Sequence, residues 1–378
     1  MKKLLLSIII SMVAIAFAIP ASAMIYFEPT PDLGIDFYAS IGLATEYDIT
    51  NYSDYQKNAA PTLKDTSVLD FYHSSVFGMS AKSGKLYVKW EVGFENYEDY
   101  ALSIYSRHLY GAYAFSDDLK LTIGQTFNPS FWYTYSSARS GYAGMGHGAM
   151  FDQRTPQIRL DIGPAYLIAE KTWTRSGIPG LDNESTEVKL PKLYVGFDKK
   201  IAKHAVGAGI TYNTYNVTDK TTASMNLDEK SLAAWATFVH GLVQVTDDIS
   251  LKSQVYYAQN APQLGISSIE EEADALVNSA GNGFDNTKTI AGFLSAQADM
   301  GKVKPFAGWG YASHDNSQYD KKDSSMEYYV GAVIDVWEHK YSNATVVPEI
   351  HVWDRLKDRN GNEEETLMTV GARWYVSF

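Results

Sequence analysis

Sixteen stretches of this chain alternate apolar and polar residues with a period of two, and the connections between them alternate between short and long. The last stretch shows the pattern most cleanly. Met368, Val370, Ala372, Trp374, Val376 and Phe378 fall on one face, and Thr369, Gly371, Arg373, Tyr375 and Ser377 on the other. Successive side chains of a strand point to opposite sides, so each stretch is a strand with one apolar face. The first runs from Leu33, and the others lie near 68–81, 86–94, 104–115, 119–125, 156–162, 165–173, 188–197, 205–215, 232–245, 249–259, 289–300, 303–312, 328–336, 346–353 and 367–378. Ser116-Asp117-Asp118, Asp198-Lys199-Lys200 and Thr246-Asp247-Asp248 are short turns, whereas 174–185, 216–228, 260–286 and 313–325 are long and polar. Short turns on one side and long loops on the other are expected of a barrel that crosses a membrane. A propeller or a sandwich has no reason to keep that parity over eight hairpins. The predicted fold is therefore all-β: a closed antiparallel transmembrane β-barrel of about sixteen strands.

Charge fixes which face is which. Lys89 and Glu91 alternate with Leu86, Val88, Trp90 and Val92. A charge facing lipid at mid-membrane costs about 2–4 kcal/mol, so Lys89, Glu91 and, by the same parity, Arg373 are assigned to the lumen. Phe378, an aromatic at the end of an alternating strand, reads as an assembly signal for the machinery that folds such barrels.

One connection breaks the rhythm. Between the strand at Leu119, Leu121 and Ile123 and the strand at Ile158, Leu160 and Ile162, residues of about 126–153 follow neither period. They are rich in Phe, Trp, Tyr and Gly and poor in charge, which argues against a solvated tail. The segment is expected to fold into the lumen as a constriction loop. Gln125 stands at its start; Arg107, Arg154 and Arg159 come from the bordering strands; Arg139, His147 and Asp152 lie within it. Guanidinium groups lining a narrow gap bind carboxylates and select anions. The competing assignment pairs these arginines with wall carboxylates such as Asp161 or Glu91, so that they merely hold the lumen together. Phe127, Phe131, Trp132, Tyr133 and Tyr135 are expected to pack the loop onto the wall.

Lys2 and Lys3, an apolar run from Leu4 to Ile19, Pro20 and Ala21-Ser22-Ala23 are the three parts of a secretory leader. Cleavage after Ala23 leaves 24–378 as a single barrel. The formal net charge of −12 becomes −14 when Lys2 and Lys3 are removed, which disfavours nucleic acid as a partner. With no cysteine in the chain, disulfides, thiolate nucleophiles and cysteine-based metal sites are excluded. Mean hydropathy, −0.22, averages away the signal of barrel strands. No G-x-S-x-G, H-E-x-x-H or phosphate-binding loop is present, and the histidines are scattered over different hairpins. No catalytic residue, metal ligand or cofactor is assigned. The acidic run 269–277 reads as one or two helical turns in an outside loop.

Four segments resemble a known family. Arg107-His108-Leu109-Tyr110-Gly111, Gly124-Gln125-Thr126-Phe127, Arg154-Thr155-Pro156-Gln157-Ile158-Arg159 and Tyr375-Val376-Ser377-Phe378 are similar to those of the trimeric sixteen-stranded porins of the Gram-negative outer membrane. The first three are most similar to the DcaP-like, dicarboxylate-type branch. Thr155 within the third motif and a low count of basic residues depart from that branch. The resemblance implies a homotrimer in outer-membrane lipid that passes small hydrophilic solutes, with a lean toward anions such as carboxylates, and that is not an enzyme. Two other readings remain open at this point: a barrel that sheathes a periplasmic or electron-carrying partner, and an enzyme barrel with a Ser or Asp beside one of the scattered histidines.

Overall fold

Backbone groups inside a bilayer have no water to bond, so a sheet there must close on itself; this chain does so. The computed structural model describes residues 26–30, 33–51, 66–71, 75–97, 101–130, 132–136, 148–150, 154–174, 185–219, 227–266 and 274–378. The expected leader, 1–23, lies outside them.

The ring consists of β1 (Leu33–Asn51), β2 (Thr66–Phe71 continued by Ser75–Ser83), β3 (Leu86–Tyr97), β4 (Ala101–Ala114), β5 (Leu119–Thr126), β6 (Thr155–Ile162), β7 (Ala165–Glu170) and β8 (Lys192–Ile201). It continues through β9 (His204–Asp219), β10 (Leu227–Gln244), β11 (Ile249–Gln259), β12 (Thr287–Ala298), β13 (Val303–Asn316), β14 (Asp323–His339), β15 (Ser342–Lys357) and β16 (Thr366–Ser377). Each strand pairs antiparallel with its sequence neighbours, and β16 returns to β1, with Trp374 opposite Leu43 and Arg373 opposite Ala44. The segment Tyr26–Thr30 lies on the same flank of β1 as β16 and pairs with residues 33–36. Phe378 sits at this junction, exchanging backbone hydrogen bonds of 2.7 and 2.9 Å with Ala39. Ser185–Glu187 extends the β8 position against β9, and a two-stranded hairpin, Leu276–Val277 with Phe284–Asp285, stands outside the ring. The described part of the expected helical run is thus extended.

All sixteen predicted strands are present, and several run further than alternation suggested. β15 starts at Ser342 and ends at Lys357, and β13 reaches Asn316. These ends are largely polar on both faces, so hydrophobic periodicity is blind to them although they pair with their neighbours, through register shifts at Ser324/Met326 and Asp335/Trp337 in the β14–β15 ladder.

The outward face is apolar: Ile104, Ile158, Val239, Val255, Ile290 and Val330 are all more than half exposed. So large a continuous apolar surface needs a cover of lipid or protein. Between Ile104 and Leu109, both outward, strict alternation fails because their separation is odd. A β-bulge resolves this. Glu91 pairs with His108 and Val92 with Ser106, leaving Arg107 as the extra residue, so that Arg107 and His108 both turn inward.

The inner face is unequal around the ring. On β7–β13 it carries Tyr166, Ile168, Tyr194, Phe238, Tyr256 and small alanines, which form a buried apolar cluster with Met150, Ala261, Leu264 and Ile266 from two loops. That half of the barrel is filled. The inner faces of β14–β16 and β1–β6 carry most of the inward charges, with a smaller apolar cluster of Phe306, Tyr329 and Val347 between β13 and β15.

Candidate functional site

The β5–β6 loop leaves the wall after Thr126, two residues beyond Gly124, whose φ of +128° only glycine adopts without strain, and where a Cβ would strike the backbone of Leu109 and Tyr110. It crosses the lumen. The Tyr135 N–H donates to Ser295 Oγ on β12 at 3.1 Å, and its hydroxyl shares a hydrogen bond of 2.9 Å with Ser250 on β11. Ser136 Oγ donates to Glu349 Oε1 on β15 at 2.5 Å. Trp132 stacks on His240 of β10 at 4.5 Å and 11°. Lys252 of β11 lies beneath three loop rings, 5.5 Å from Trp132, 4.5 Å from Tyr133 and 4.9 Å from Tyr135. The returning limb is seated by the Met150 N–H on Gln254 Oε1 at 2.7 Å. Gly148, at φ +121°, passes so close to the β12 backbone at Gly292 that no side chain fits between them. Phe127, Trp132 and Tyr135 therefore pack on the wall, while Tyr133 stays about half exposed.

The sequence-assigned residues fall into several groups. Arg107 Nε donates to Glu91 Oε1 at 2.7 Å, and Lys89 Nζ lies 3.2 Å from Glu91 Oε2, which also accepts from the Tyr38 hydroxyl at 2.7 Å. Lys89 hangs 5.3 Å over the Tyr38 ring. His108, also turned in by the bulge, reaches Thr126 Oγ1 at 3.1 Å and packs edge-on against Phe127. The Arg154 guanidinium carbon lies over the Phe127 ring, 3.9 Å from its centroid. Its Nε is buried without a hydrogen-bond partner, and among the described residues no carboxylate lies within ion-pair distance of it. Arg159 binds Asp161 through two nitrogens, each at 2.7 Å, and Lys120 reaches the same carboxylate at 3.2 Å. Gln125 spends its amide on the Ser106 carbonyl of β4 at 2.8 Å. Arg373 is buried against Glu46 of β1. Arg139, His147 and Asp152, together with Phe131, lie outside the described residues.

Two pairings named as the competing assignment, Arg107 with Glu91 and Arg159 with Asp161, are therefore present. Among the described residues they leave an excess of positive charge. Lys89 and Arg107 share one carboxylate, Lys120 and Arg159 share another, and Arg154 lies over Phe127. Sequence reasoning missed the complementary wall. On β14, β15 and β1, Glu327, Glu349, Glu46 and Asp48 face inward, met by His351 at 3.0 Å, by Ser136, by Arg373 and by Thr369 at 2.6 Å respectively. Each sits opposite an outward apolar neighbour, so face parity applied strand by strand would have found them. Among the described residues, inward cationic groups thus gather on β3–β6 and inward carboxylates on β14, β15 and β1.

No protein-family model and no curated protein sequence matches the chain. Solved structures do match. The outer membrane channel DcaP of Acinetobacter baumannii aligns with a TM-score of 0.68 at 15% identity, covering 93% of this chain and 99% of that one. OmpT of Vibrio cholerae, an outer membrane protein in its trimer form, aligns at 0.53 and 17% identity over 91% and 99%. An anion-selective porin from Comamonas acidovorans aligns at 0.52 and 13% identity over 91% and 100%. At these identities the likeness is one of fold, the sixteen-stranded porin barrel.

Proposed function

We propose that this chain is an outer-membrane porin through which small hydrophilic solutes diffuse passively, with a preference for anions such as carboxylates. The excess, among the described residues, of guanidinium and ammonium groups over carboxylates at the root of the β5–β6 loop carries this reading: Lys89 and Arg107 meet at Glu91, and Arg154 stands over Phe127. An anion in a narrow gap responds to the groups that line it, because charges on distant loops are screened beyond about 8 Å at physiological salt. The acidic total of the chain does not set that field. Arg154 adds a planar donor with an uncommitted Nε, suited to a carboxylate.

The reading includes export by the leader 1–23, insertion guided by Phe378, and assembly as a homotrimer in outer-membrane lipid. The apolar outer belt, the backbone junction at Phe378 and the trimer form of one structural neighbour support it. A sheath around a partner chain would need a clear lumen, and the crossing loop disfavours that. No catalytic step is assigned. Reversal potentials of the purified protein in planar bilayers under a KCl gradient test the reading. Anion preference is expected. Cation preference would remove the carboxylate assignment, and absence of conductance would remove the channel itself.

A further inference from the structure

The β11–β12 loop reads as a solvated outside loop, yet its first residues are buried inside the barrel. Asn260, itself left-handed at φ 54°, leads into a short 3-10 turn, Ala261–Leu264, every residue of which is buried. The groups that receive this turn all point inward from the wall. Asn213 of β9, beside the outward Tyr212, donates to the Gln263 carbonyl at 2.5 Å. The Tyr215 hydroxyl donates to Gln263 Oε1, and Gln263 Nε2 donates to Asp274 at 2.8 Å. Lys192 of β8 donates to the Leu264 carbonyl.

Lys192 is also one half of a buried ion pair, 2.7 Å from Glu170 Oε1 of β7, with side chains 1% and 0% exposed. The other oxygen of Glu170 accepts from Asn128 at the root of the β5–β6 loop and from Thr155 where that loop returns, both at 2.9 Å. One carboxylate thus holds the crossing loop directly and the second loop through Lys192. A pair this deep costs more in desolvation than it returns by attraction unless every oxygen and proton is used. Its retention points to a geometric purpose.

We propose that Glu170 and Lys192 are positioning residues that lock the β5–β6 and β11–β12 loops into one body, and that this body sets the cross-section of the passage. The proposal rests on the channel reading above. Breaking the lock swings the second loop off the inner wall and widens the passage.

The test compares Lys192→Met with the double variant Glu170→Gln/Lys192→Met, using single-channel conductance and liposome swelling with sugars of increasing size. Both variants are expected to conduct more and to admit sugars that the unmodified protein excludes. Thermal stability should fall in the single variant, which strands a buried carboxylate, and largely return in the double one. A purely structural pair would let conductance return with stability. A folded double variant with unmodified conductance and size limit overturns the proposal. If neither variant folds, Gln263→Ala removes the seat of the turn and spares the ion pair; unchanged conductance there overturns the proposal as well. Thermolysin cleavage at Leu264 reads the loop independently of conduction, with protection expected in the unmodified barrel and cutting in the variants. An unmodified protein that never conducts sinks the channel reading, while cleavage still reports on the lock.

Discussion

Replacing Arg154 with Ala removes one positive charge from the cationic wall at a site where, among the described residues, no carboxylate is left stranded, the guanidinium lying over the Phe127 ring. For an ion passing about 6 Å away, Coulomb's law at the dielectric of water gives ~0.7 kcal/mol, and screening with a length of about 8 Å roughly halves it. An anion loses that attraction and a cation is relieved of an equal repulsion, so the ratio of their permeabilities shifts by twice the value. At 1.4 kcal/mol per factor of ten, the anion-to-cation ratio should fall about threefold with screening and about tenfold without it. Reversal potentials at two salt concentrations measure it, with the larger shift at low salt. Arg154→Lys, which keeps the charge, should leave the ratio near its original value. An unchanged ratio in folded Arg154→Ala, or an equal shift in both variants, would refute the electrostatic reasoning.

Deleting Phe378 or changing it to Lys should leave the precursor secreted and poorly inserted, read as loss of heat-resistant oligomer on gels; normal oligomer yield would count against the assembly role. Single cysteines test the faces. Those at 90, 374 and 376 should react with lipid-soluble reagents, and those at 89, 107 and 108 with water-soluble ones, the last two together because of the bulge. If 107 and 108 label from different phases, the bulge is misplaced. In the β15–β16 connection, burial acts to raise the Asp358 carboxyl, but hydrogen bonds from Asn362 and Asn360 outweigh it and hold the pKa below the ordinary value. A depressed carboxylate stabilises above its unfolded pKa, and that contribution is lost as pH falls through the folded one. Proteolysis within 358–365 should therefore accelerate only in strongly acidic buffer, and Asp358→Asn should make it fast at neutral pH.

Alternation made the strands legible because lipid and lumen sort side chains strand by strand, and the long aromatic connection announced an inward loop because such a segment has to bury its rings. The filled half of the barrel was harder to see. In Ala165-Tyr166-Leu167-Ile168-Ala169 both faces are apolar, the signature of a strand covered on both sides, but a barrel reading discounts the inner face in advance. The second loop was missed for a related reason: Ala261-Pro262-Gln263-Leu264-Gly265-Ile266 is apolar within an otherwise polar stretch, and length and average polarity concealed it. The inward turn of both Arg107 and His108 was present as the odd spacing of Ile104 and Leu109. The pairing of individual arginines depends on register, which no pattern along one strand reveals.

The junction where β16 meets β1 constrains how such a ring can change. Two strands that meet antiparallel across the seam require an even number in total. Losing a single strand would bring parallel neighbours together there and carry one end of the chain to the far side of the membrane. Gain or loss by whole hairpins keeps both the seam and the sidedness. The heritable unit of width in this architecture is therefore the hairpin, and a channel of this kind can widen or narrow its wall only in steps of two strands.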